Sequence, residues 1–403
     1  MPQTIPVRLG PAETTLIDQL NSVGASATAE RISVAGLPTR RVEAYHYTDL
    51  KMLLRTVPGL AGEQKALGDS PFRIDGAHRI PMTNGVADID GVSMPGVRLS
   101  VEDSSSLSQR DDIIVRLNEA FARKTLRVSL DQSVGAVIHI DRRTEGAAAH
   151  MSDSVHLFAA AGVEATVIET FAGSDEAHLA NHATFVSVGE GAKLTHIVVD
   201  LSPAASTHFD TSEYQIAADA QLRTLVIHAG AGLARSQVFA KFEGEGAHAD
   251  FTGLNLVNDG QHCDITLDVN HAVPNTTSKE LYKQIARGRS KAVFQGRIVV
   301  SRDAQKTDGK MMMQGLMLSD EAEILSKPEL EIYADDVVCG HGSTCGKLDE
   351  DHLFYLMSRG IPEAPARALL VKAFVGEVVE EVEHEAAVSA LEERIDAWLH
   401  ADR

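Results

Sequence analysis

The sequence contains few cysteines and few aromatic residues, and it has no long apolar run. Only three of its 403 residues are Cys, and only 5% are Phe, Trp or Tyr. Three Cys cannot build a disulfide framework, so we expect a chain that works in a reducing compartment. The N-terminal stretch MPQTIPVRLGPAETTLIDQL has no basic segment followed by an apolar one, and no apolar stretch reaches the roughly 18 residues of a membrane helix. These absences predict a cytoplasmic protein that is not embedded in a membrane.

Positive charge is also scarce. The chain has 37 Lys and Arg against 57 Asp and Glu, which gives a formal net charge of -20. Phosphate backbones and anionic lipid headgroups would repel such a chain. We therefore expect neither a nucleic acid nor a membrane surface as a partner.

The motifs of enzymes that act alone are missing as well. The sequence has no dinucleotide fingerprint, no Gly-x-Ser-x-Gly elbow and no phosphate loop. Gly346-Lys347 is similar to the end of a phosphate loop, but Leu348 stands where Ser or Thr is needed. The sequence therefore carries no signature of an enzyme that acts alone.

Short apolar alternations recur between about residues 126 and 346, among them VGAVIHI, HATFVSV, LTHIVVDL and LRTLVIHA. The turns between them resemble one another. GEGAKL at 189–194, AADAQL at 217–222 and GEGAHA at 244–249 start about 27 residues apart, and SDEAEI at 319–324 is of the same type. No long amphipathic helix lies between these strands, which argues against an alternating βαβ sheet. The regular spacing favours a solenoid of stacked coils, with a β-sandwich and a barrel as the alternatives.

Helix-compatible segments flank the strand-rich region. Leu16, Leu20 and Val23 repeat at helical spacing, and a second helix is predicted to begin at Thr39. Near the other end, Asp349 is a suitable N-cap for a first C-terminal helix. We divide the chain into an N-terminal helical region at 1–70, a mixed α/β lead-in at 71–125, a β core at 126–348 and a C-terminal helical region at 349–403.

The most distinctive local motif is Cys339-Gly-His341-Gly-Ser-Thr-Cys345. Thiolate and imidazole are ligands of zinc, copper(I) and iron–sulfur clusters. A spacing of two residues places Cys339 and His341 on one face of a strand, and Gly340 and Gly342 remove side chains that would crowd a bound ion. The motif is a candidate metal or cluster site. The alternative is a pair of buried thiols beside a hydrogen-bonded His.

Three long runs of the sequence carry a family resemblance: SKELYKQIARGRSKAVFQGRIVVSRDAQKTDGKMM, LMLSDEAEILSKPELEIYADDVVCGHGSTCGKLDEDHLFYLMSRGI and GLPTRRVEAYHYTDL. With VRLNEAFA at 115–122, they resemble the SufB/SufD family of SUF iron–sulfur cluster assembly scaffold proteins. The first Cys of this chain is Cys263, which favours the SufD type, because SufB proteins usually carry further Cys towards the N-terminus. The sequence departs from the family pattern in two places. Tyr45-His46 replaces Trp-Lys, and Cys345 replaces a small aliphatic residue.

The resemblance implies a mainly β protein, with a right-handed parallel β-helix flanked by N-terminal and C-terminal α-helical regions. It implies a non-catalytic SufD-like scaffold subunit of a cytoplasmic SufBCD complex, acting with a SufC-like ATPase and a SufB-like paralogue. A transient iron–sulfur cluster would be shared with SufB at the contact between the two proteins. His341 matches the family's ligand histidine and Cys339 is a weaker candidate, whereas Cys345 is either an additional thiolate or a buried residue.

The apolar stripe of the C-terminal helices has two interpretations. By pattern alone it is either a cap that closes the end of the solenoid or a surface for a partner. The resemblance favours binding of the ATPase. It assigns the partner contacts to Phe354, Leu369, Leu370, Phe374 and Val378.

Two functions of other classes stay open on the sequence alone. A β-helix carbohydrate-active enzyme, such as a polysaccharide lyase, would use acidic and basic groups in a groove, although such enzymes are typically secreted. A purely structural interaction protein would keep Cys339 and His341 as core residues. A scaffold without its partner could also pair with itself, so a homodimer of the isolated chain is a further expectation.

Overall fold

The computed structural model describes residues 8–62, 70–104, 108, 110–380 and 382–400. It is mostly β, with 44% of the residues in strands, and its core is a parallel β-solenoid of about 8 turns. Helices lie at both ends of the chain. The predicted β-helix with flanking helical regions is therefore confirmed, and the sandwich and barrel alternatives are wrong.

Two sheets face each other across the solenoid, and from β4 onward the strands of the described chain alternate between them. Sheet A contains β3 (Val97–Asp103), β4 (Lys124–Leu130), β6 (His150–Ala159), β8 (Leu179–Val188), β10 (Thr207–Ile216), β12 (Leu233–Phe242), β14 (His262–His271), β16 (Lys291–Val300) and β18 (Glu323–Ile332). Sheet B contains β1 (His78–Thr83), β2 (Val86–Ala87), β5 (Ile138–Thr144), β7 (Glu164–Gly173), β9 (Lys193–Asp200), β11 (Gln221–His228), β13 (His248–Val257), β15 (Thr277–Ala286), β17 (Asp308–Met317) and β19 (Val338–Gly346). Among these strands only the β1–β2 and β3–β4 pairs are antiparallel. Strand β1 belongs to sheet B and β3 to sheet A, so both sheets begin before residue 126.

The coils on the sheet B side repeat one turn geometry. Two residues before seven strands of sheet B, the backbone is left-handed, with φ of 73° at Gly76, 69° at Gly162, 63° at Gly191, 54° at Asp219, 73° at Gly246, 59° at Asn275 and 64° at Lys306. Gly adopts this conformation without a steric penalty, and Asn and Asp tolerate it better than other residues. The third position of GEGAKL, AADAQL and GEGAHA is this residue, so the sequence repeat reflects a backbone requirement. SDEAEI precedes β18 of sheet A, and its third residue, Glu321, is not left-handed, so it belongs to a different turn.

Seven α-helices cover the ends and sides of the solenoid in the part of the chain that the structure describes. They are α1 (Pro11–Ser22), α2 (Ser26–Ala35), α3 (Leu50–Leu53), α4 (Ile113–Phe121), α5 (Glu350–Ser358), α6 (Glu363–Val379) and α7 (Glu385–His400). The predicted N-cap is confirmed, because the Asp349 carboxylate accepts the backbone N–H groups of Asp351 and His352.

The helix predicted to begin at Thr39 is wrong. A single 3-10 turn, Glu43–Tyr45, and the short α3 take its place. The backbone carbonyl of Ala44 accepts a hydrogen bond from the Arg235 guanidinium at 2.8 Å, and the Thr48 hydroxyl bonds His262 at 2.9 Å. These tertiary contacts with sheet A override a helical pattern that is weak in this segment.

The helical regions pack on the outer faces of the two sheets. Leu16 and Leu117 belong to one apolar cluster with Phe209 of sheet A, whereas Val371 and Leu391 belong to another cluster over sheet B. A third apolar cluster fills the space between the sheets. The apolar side chains of each strand thus alternate between an inner and an outer core.

The interior of the solenoid also holds charged residues. Arg142 of β5 is 1% exposed and donates to the carboxylates of Asp153 and Glu169, which are themselves each 1% exposed. The His182 ring lies 2.7 Å from Asp153, and the His196 ring lies 3.0 Å from Glu169. A buried charge is tolerated only when it is paired and hydrogen-bonded, so this network is a specific part of the fold.

Candidate cluster site and partner surface

The Cys-His motif forms β19, the last strand of sheet B. Along one edge β19 pairs with β17 in parallel, and in the described chain no strand covers its other edge. Strand β18 is the corresponding last strand of sheet A. The solenoid therefore has an open end, made of the free edges of β18 and β19.

One face of β19 carries both predicted thiols and the predicted imidazole. Cys339 packs against the inner core of the solenoid, so this face is the inner one. Because side chains alternate along a strand, His341, Ser343 and Cys345 point the same way. The structure confirms that Cys339 and His341 share a face, as their spacing predicts.

The inner face of β19 is incompletely covered, because no further coil lies beyond it among the residues that the structure describes. Cys339 is half-buried, whereas His341 and Cys345 are exposed. The neighbouring strand, β17, presents Gly309, Met311, Met313 and Gly315 on the same face. Gly309 lies beside Cys339, and Gly315 lies beside Cys345. Glycine at positions 309 and 315 removes side chains behind the two thiols. A Cβ added at Gly315 would lie 3.0 Å from the Cys345 sulfur.

Strand geometry separates the two thiols. Cys339 and His341 are two residues apart, whereas Cys339 and Cys345 are six residues apart, which corresponds to about 20 Å at roughly 3.3 Å per residue. A single small cluster cannot span the larger distance. If this chain supplies a pair of neighbouring ligands, the pair is Cys339 and His341, and Cys345 belongs to a separate location near the other end of the strand.

Both thiols of the motif resist ionisation in the isolated chain. Partial burial raises the pKa of Cys339, although the backbone N–H of Gly309 opposes this shift. Partial burial also raises the pKa of Cys345. A metal binds the thiolate and displaces its proton, so binding at either Cys would release a proton.

The chain has no complete metal site of its own in the described ranges. There, no group of three or more His, Cys, Asp or Glu side chains is arranged to hold a metal ion. Cys339 and His341 could supply two ligands at most. The remaining ligands of any cluster would have to come from another molecule.

Thiol alkylation tests this placement of the cysteines. We expect iodoacetamide to modify Cys345 first and Cys339 more slowly, and to leave Cys263 unmodified until the chain unfolds. Cys263 is 4% exposed, and burial raises its pKa well above the usual value of a thiol. Peptide mass spectrometry over a time course would report the order, and early modification of Cys263 would contradict the fold near β14.

The residues predicted to bind a partner do not lie on one surface. Phe354 is 73% exposed and Leu369 is 50% exposed, whereas Leu370 and Phe374 are half-buried. Val378 is fully buried in the cluster between α6 and sheet B. In this structure Val378 holds the helix on the solenoid and offers no contact to another protein.

The exposed apolar surface of the C-terminal region extends beyond the predicted residues. Tyr355 is 56% exposed and Met357 is 42% exposed, and both are in α5 with Phe354. The stretch Leu353-Phe-Tyr-Leu-Met357 is apolar on every side of the helix, so the pattern could not distinguish its buried side from its exposed side. We call Phe354, Tyr355, Met357 and Leu369 the C-terminal apolar surface. Exposed large apolar side chains on neighbouring helices are typical of an interaction site.

Within the described residues, no helix is long and apolar enough to cross a membrane.

Comparison with known proteins shows the family. The family model "SUF system FeS cluster assembly, SufBD core domain" matches residues 142–374. The chain is 30% identical to the iron–sulfur cluster assembly protein SufD of Escherichia coli over 370 residues, which cover 87% of this chain and 86% of that protein. It is 33% identical to an iron–sulfur cluster assembly SufBD family protein of Synechocystis, over 50% of this chain and 45% of that protein. It is also 32% identical to the chloroplastic protein ABCI7 of Arabidopsis thaliana, over 54% of this chain and 47% of that protein. The chain therefore belongs to the SufB/SufD family of the SUF iron–sulfur cluster assembly system, and it is SufD-like.

Proposed function

We propose that this chain is a non-catalytic scaffold subunit that assembles with a SufC-type ATPase and a SufB-type paralogue, and that a transient iron–sulfur cluster is built where it meets the paralogue. One observation carries the proposal. His341 and Cys339 lie on the inner face of β19, whose free edge has no partner strand in the described chain. The site is incomplete alone, and its missing ligands would lie on the protein that covers this edge.

The composition of the two edge strands supports pairing through β19. Strand β18 contains Pro328, Lys327 and three Glu, the residue types that protect an edge against further pairing. Strand β19, VCGHGSTCG, contains no Pro and no residue with a formal charge apart from a titratable His. An unprotected edge is a template for another strand. We place the contact with the paralogue at β19.

A histidine ligand suits a cluster that must be passed on. Imidazole is a neutral ligand and binds iron less tightly than thiolate does. A cluster held by His341 on one side and by thiolates of the paralogue on the other would be held without being trapped. Cys339 is the second candidate ligand of this chain, and Cys345 is too distant from Cys339 to share the same cluster.

The test is an anaerobic purification of the tagged chain from its native host, with the co-purifying proteins identified and iron and sulfide assayed. We expect an ATPase and a larger paralogue in stoichiometric amounts, with iron and sulfide. Recovery of the chain alone or as a homodimer, free of iron, would contradict the proposal.

A separate prediction concerns the ATPase. Exchanging Phe354 and Leu369 together for Asp should abolish co-purification of the ATPase while the paralogue is retained. Burying two carboxylates in an apolar contact is strongly unfavourable. Val34→Asp provides the control, because Val34 is 67% exposed on α2 of the other helical region. Retention of the ATPase by the double variant would exclude the C-terminal apolar surface as its binding site.

A carbohydrate-active β-helix enzyme is not favoured by the structure. A cavity of about 630 Å³ does lie on the outer face of sheet A. Its four basic residues, Arg110, Arg235, Arg297 and Lys327, are each paired with a carboxylate. The cavity therefore offers no unpaired cationic side chain among these four residues.

A further inference from the structure

Lys283 is a buried lysine that joins the C-terminal helices to the solenoid. It lies on the outer face of β15, and its side chain is only 4% exposed. Its ammonium group donates to the backbone carbonyl of Phe374 at 2.7 Å and to the Glu377 carboxylate at 2.6 Å. It also lies 4.6 Å from the centre of the Phe374 ring. One cation thus contacts α6 in three ways.

These contacts fix the position of α6 more strictly than apolar packing does. Val371, Val375 and Val378 of α6 pack on sheet B, but contacts between aliphatic side chains are non-directional. The hydrogen bonds of Lys283 are short, directional and charge-assisted. They determine which residue of α6 lies over which residue of β15.

Lys283 lies between the two functional surfaces of the molecule. The same helix, α6, carries Leu369 of the C-terminal apolar surface, which is 50% exposed. On the solenoid, Lys283 pairs in register with Gln314 of β17, and Gln314 pairs with Thr344 of β19. Two strand spacings of about 4.8 Å therefore separate Lys283 from the edge strand. No flexible segment intervenes between them.

A second cation holds the last helix in a similar way. Arg287, one residue beyond β15, donates to the backbone carbonyl of Trp398 at 3.0 Å, and its guanidinium lies 3.9 Å from the centre of the Trp398 ring. Lys283 on β15 and Arg287 just after it thus hold α6 and α7, respectively. Lys283 is the better test residue because its helix is the one that carries Leu369.

We propose that Lys283 is a positioning residue that transmits a displacement of α6 to β15 and through β17 to the edge strand β19. The proposal rests on the proposed function, in which an ATPase binds the C-terminal apolar surface and the cluster forms at β19. Lys283 contacts neither the cluster nor the ATPase. Its role is to make the edge strand move with the helix.

The experiment uses the complete complex with its ATPase and paralogue. The alkylation rate of Cys345 on β19, measured by peptide mass spectrometry with and without a non-hydrolysable ATP analogue, reports the nucleotide-dependent change at the edge. We expect the complex with the unaltered chain to respond by about fivefold, in the range of typical allosteric coupling. Lys283→Met should bind the ATPase but reduce the response to less than about twofold. Lys283→Arg, which keeps the charge, should restore most of it.

Arg223→Met is the matched control. Arg223 lies on β11 of the same sheet and pairs with Glu383 just before α7, but this pair is exposed. The control should respond to nucleotide as the unaltered chain does. Urea unfolding of each isolated variant verifies that the fold is retained.

Three outcomes would overturn the proposal. In the first, Lys283→Met assembles and responds as the unaltered chain does; in the second, Arg223→Met loses the response equally; in the third, the unaltered complex assembles without responding to nucleotide. In each of these cases the complex has formed, so the scaffold function stands and only the role of Lys283 fails. Failure of the unaltered chain to assemble with an ATPase would instead contradict the proposed function.

Discussion

Replacing His341 with alanine should lower the iron and sulfide recovered with the anaerobically purified complex by at least about tenfold, since even indirect supports of a metal ligand change affinity by that amount. The yield of the complex itself should not change. His341 is exposed at the open end of the solenoid, and a surface substitution of this kind changes stability by less than about 0.5 kcal/mol. A selective loss of cluster would identify the imidazole as a ligand.

A histidine far from β19 provides the control. His156→Ala changes a half-buried His on β6 of sheet A, far along the coil stack from β19, and it should leave iron and sulfide unchanged. Cys339→Ser should reduce the cluster less than His341→Ala does. Equal cluster yield from His341→Ala and the unaltered chain would exclude His341 as a ligand. Cys339 and His341 would then be better interpreted as structural residues.

Replacing Arg142 with methionine should lower the free energy of unfolding by about 3–5 kcal/mol, the usual cost of removing one partner from a buried charge network. Burial alone would raise the pKa of Glu169, but Arg142 and His196 outweigh it and hold the pKa at about 2. Burial alone would also raise the pKa of Asp153, but His182 and Arg142 outweigh it and lower this pKa to about 2. Without the guanidinium, two carboxylates would remain in the interior with too little positive charge.

Urea denaturation of the isolated chain measures this effect. Arg98→Met serves as the matched control, because Arg98 pairs with Asp131 on the surface, with side chains 76% and 37% exposed. Its loss should cost less than about 1 kcal/mol. Similar losses from the two variants would show that the Arg142 network contributes no more than an exposed pair.

The coils of this protein could be predicted from its sequence because they depend on local requirements. A left-handed residue recurs at Gly191, Asp219 and Gly246, and apolar alternation follows each turn. The helix from Asp349 was predictable for the same reason, since its cap lies within the segment. SDEAEI was assigned to the same turn wrongly, because composition does not tell which of the two sheets a strand joins.

The parts that could not be predicted depend on distant contacts. The segment after Thr39 was predicted as a helix, but Arg235 of β12 binds the carbonyl of Ala44 and helps fix another conformation. The burial of Val378 against sheet B and the exposure of Phe354 follow from how the helices pack, and helical spacing does not contain that information. The Arg142 network was missed because each charged residue resembles a solvent-facing position until the facing strands are known.

The two edge strands are protected unequally, and this difference affects the newly synthesised chain. Strand β18 carries Pro and charged residues, whereas β19 lacks both kinds of protection. Until a partner covers it, β19 can recruit any strand of compatible length, including one from a second newly synthesised copy. Under the proposed function, a cell that makes this chain without the paralogue would accumulate self-associated chains, and balanced synthesis of the two proteins would prevent it.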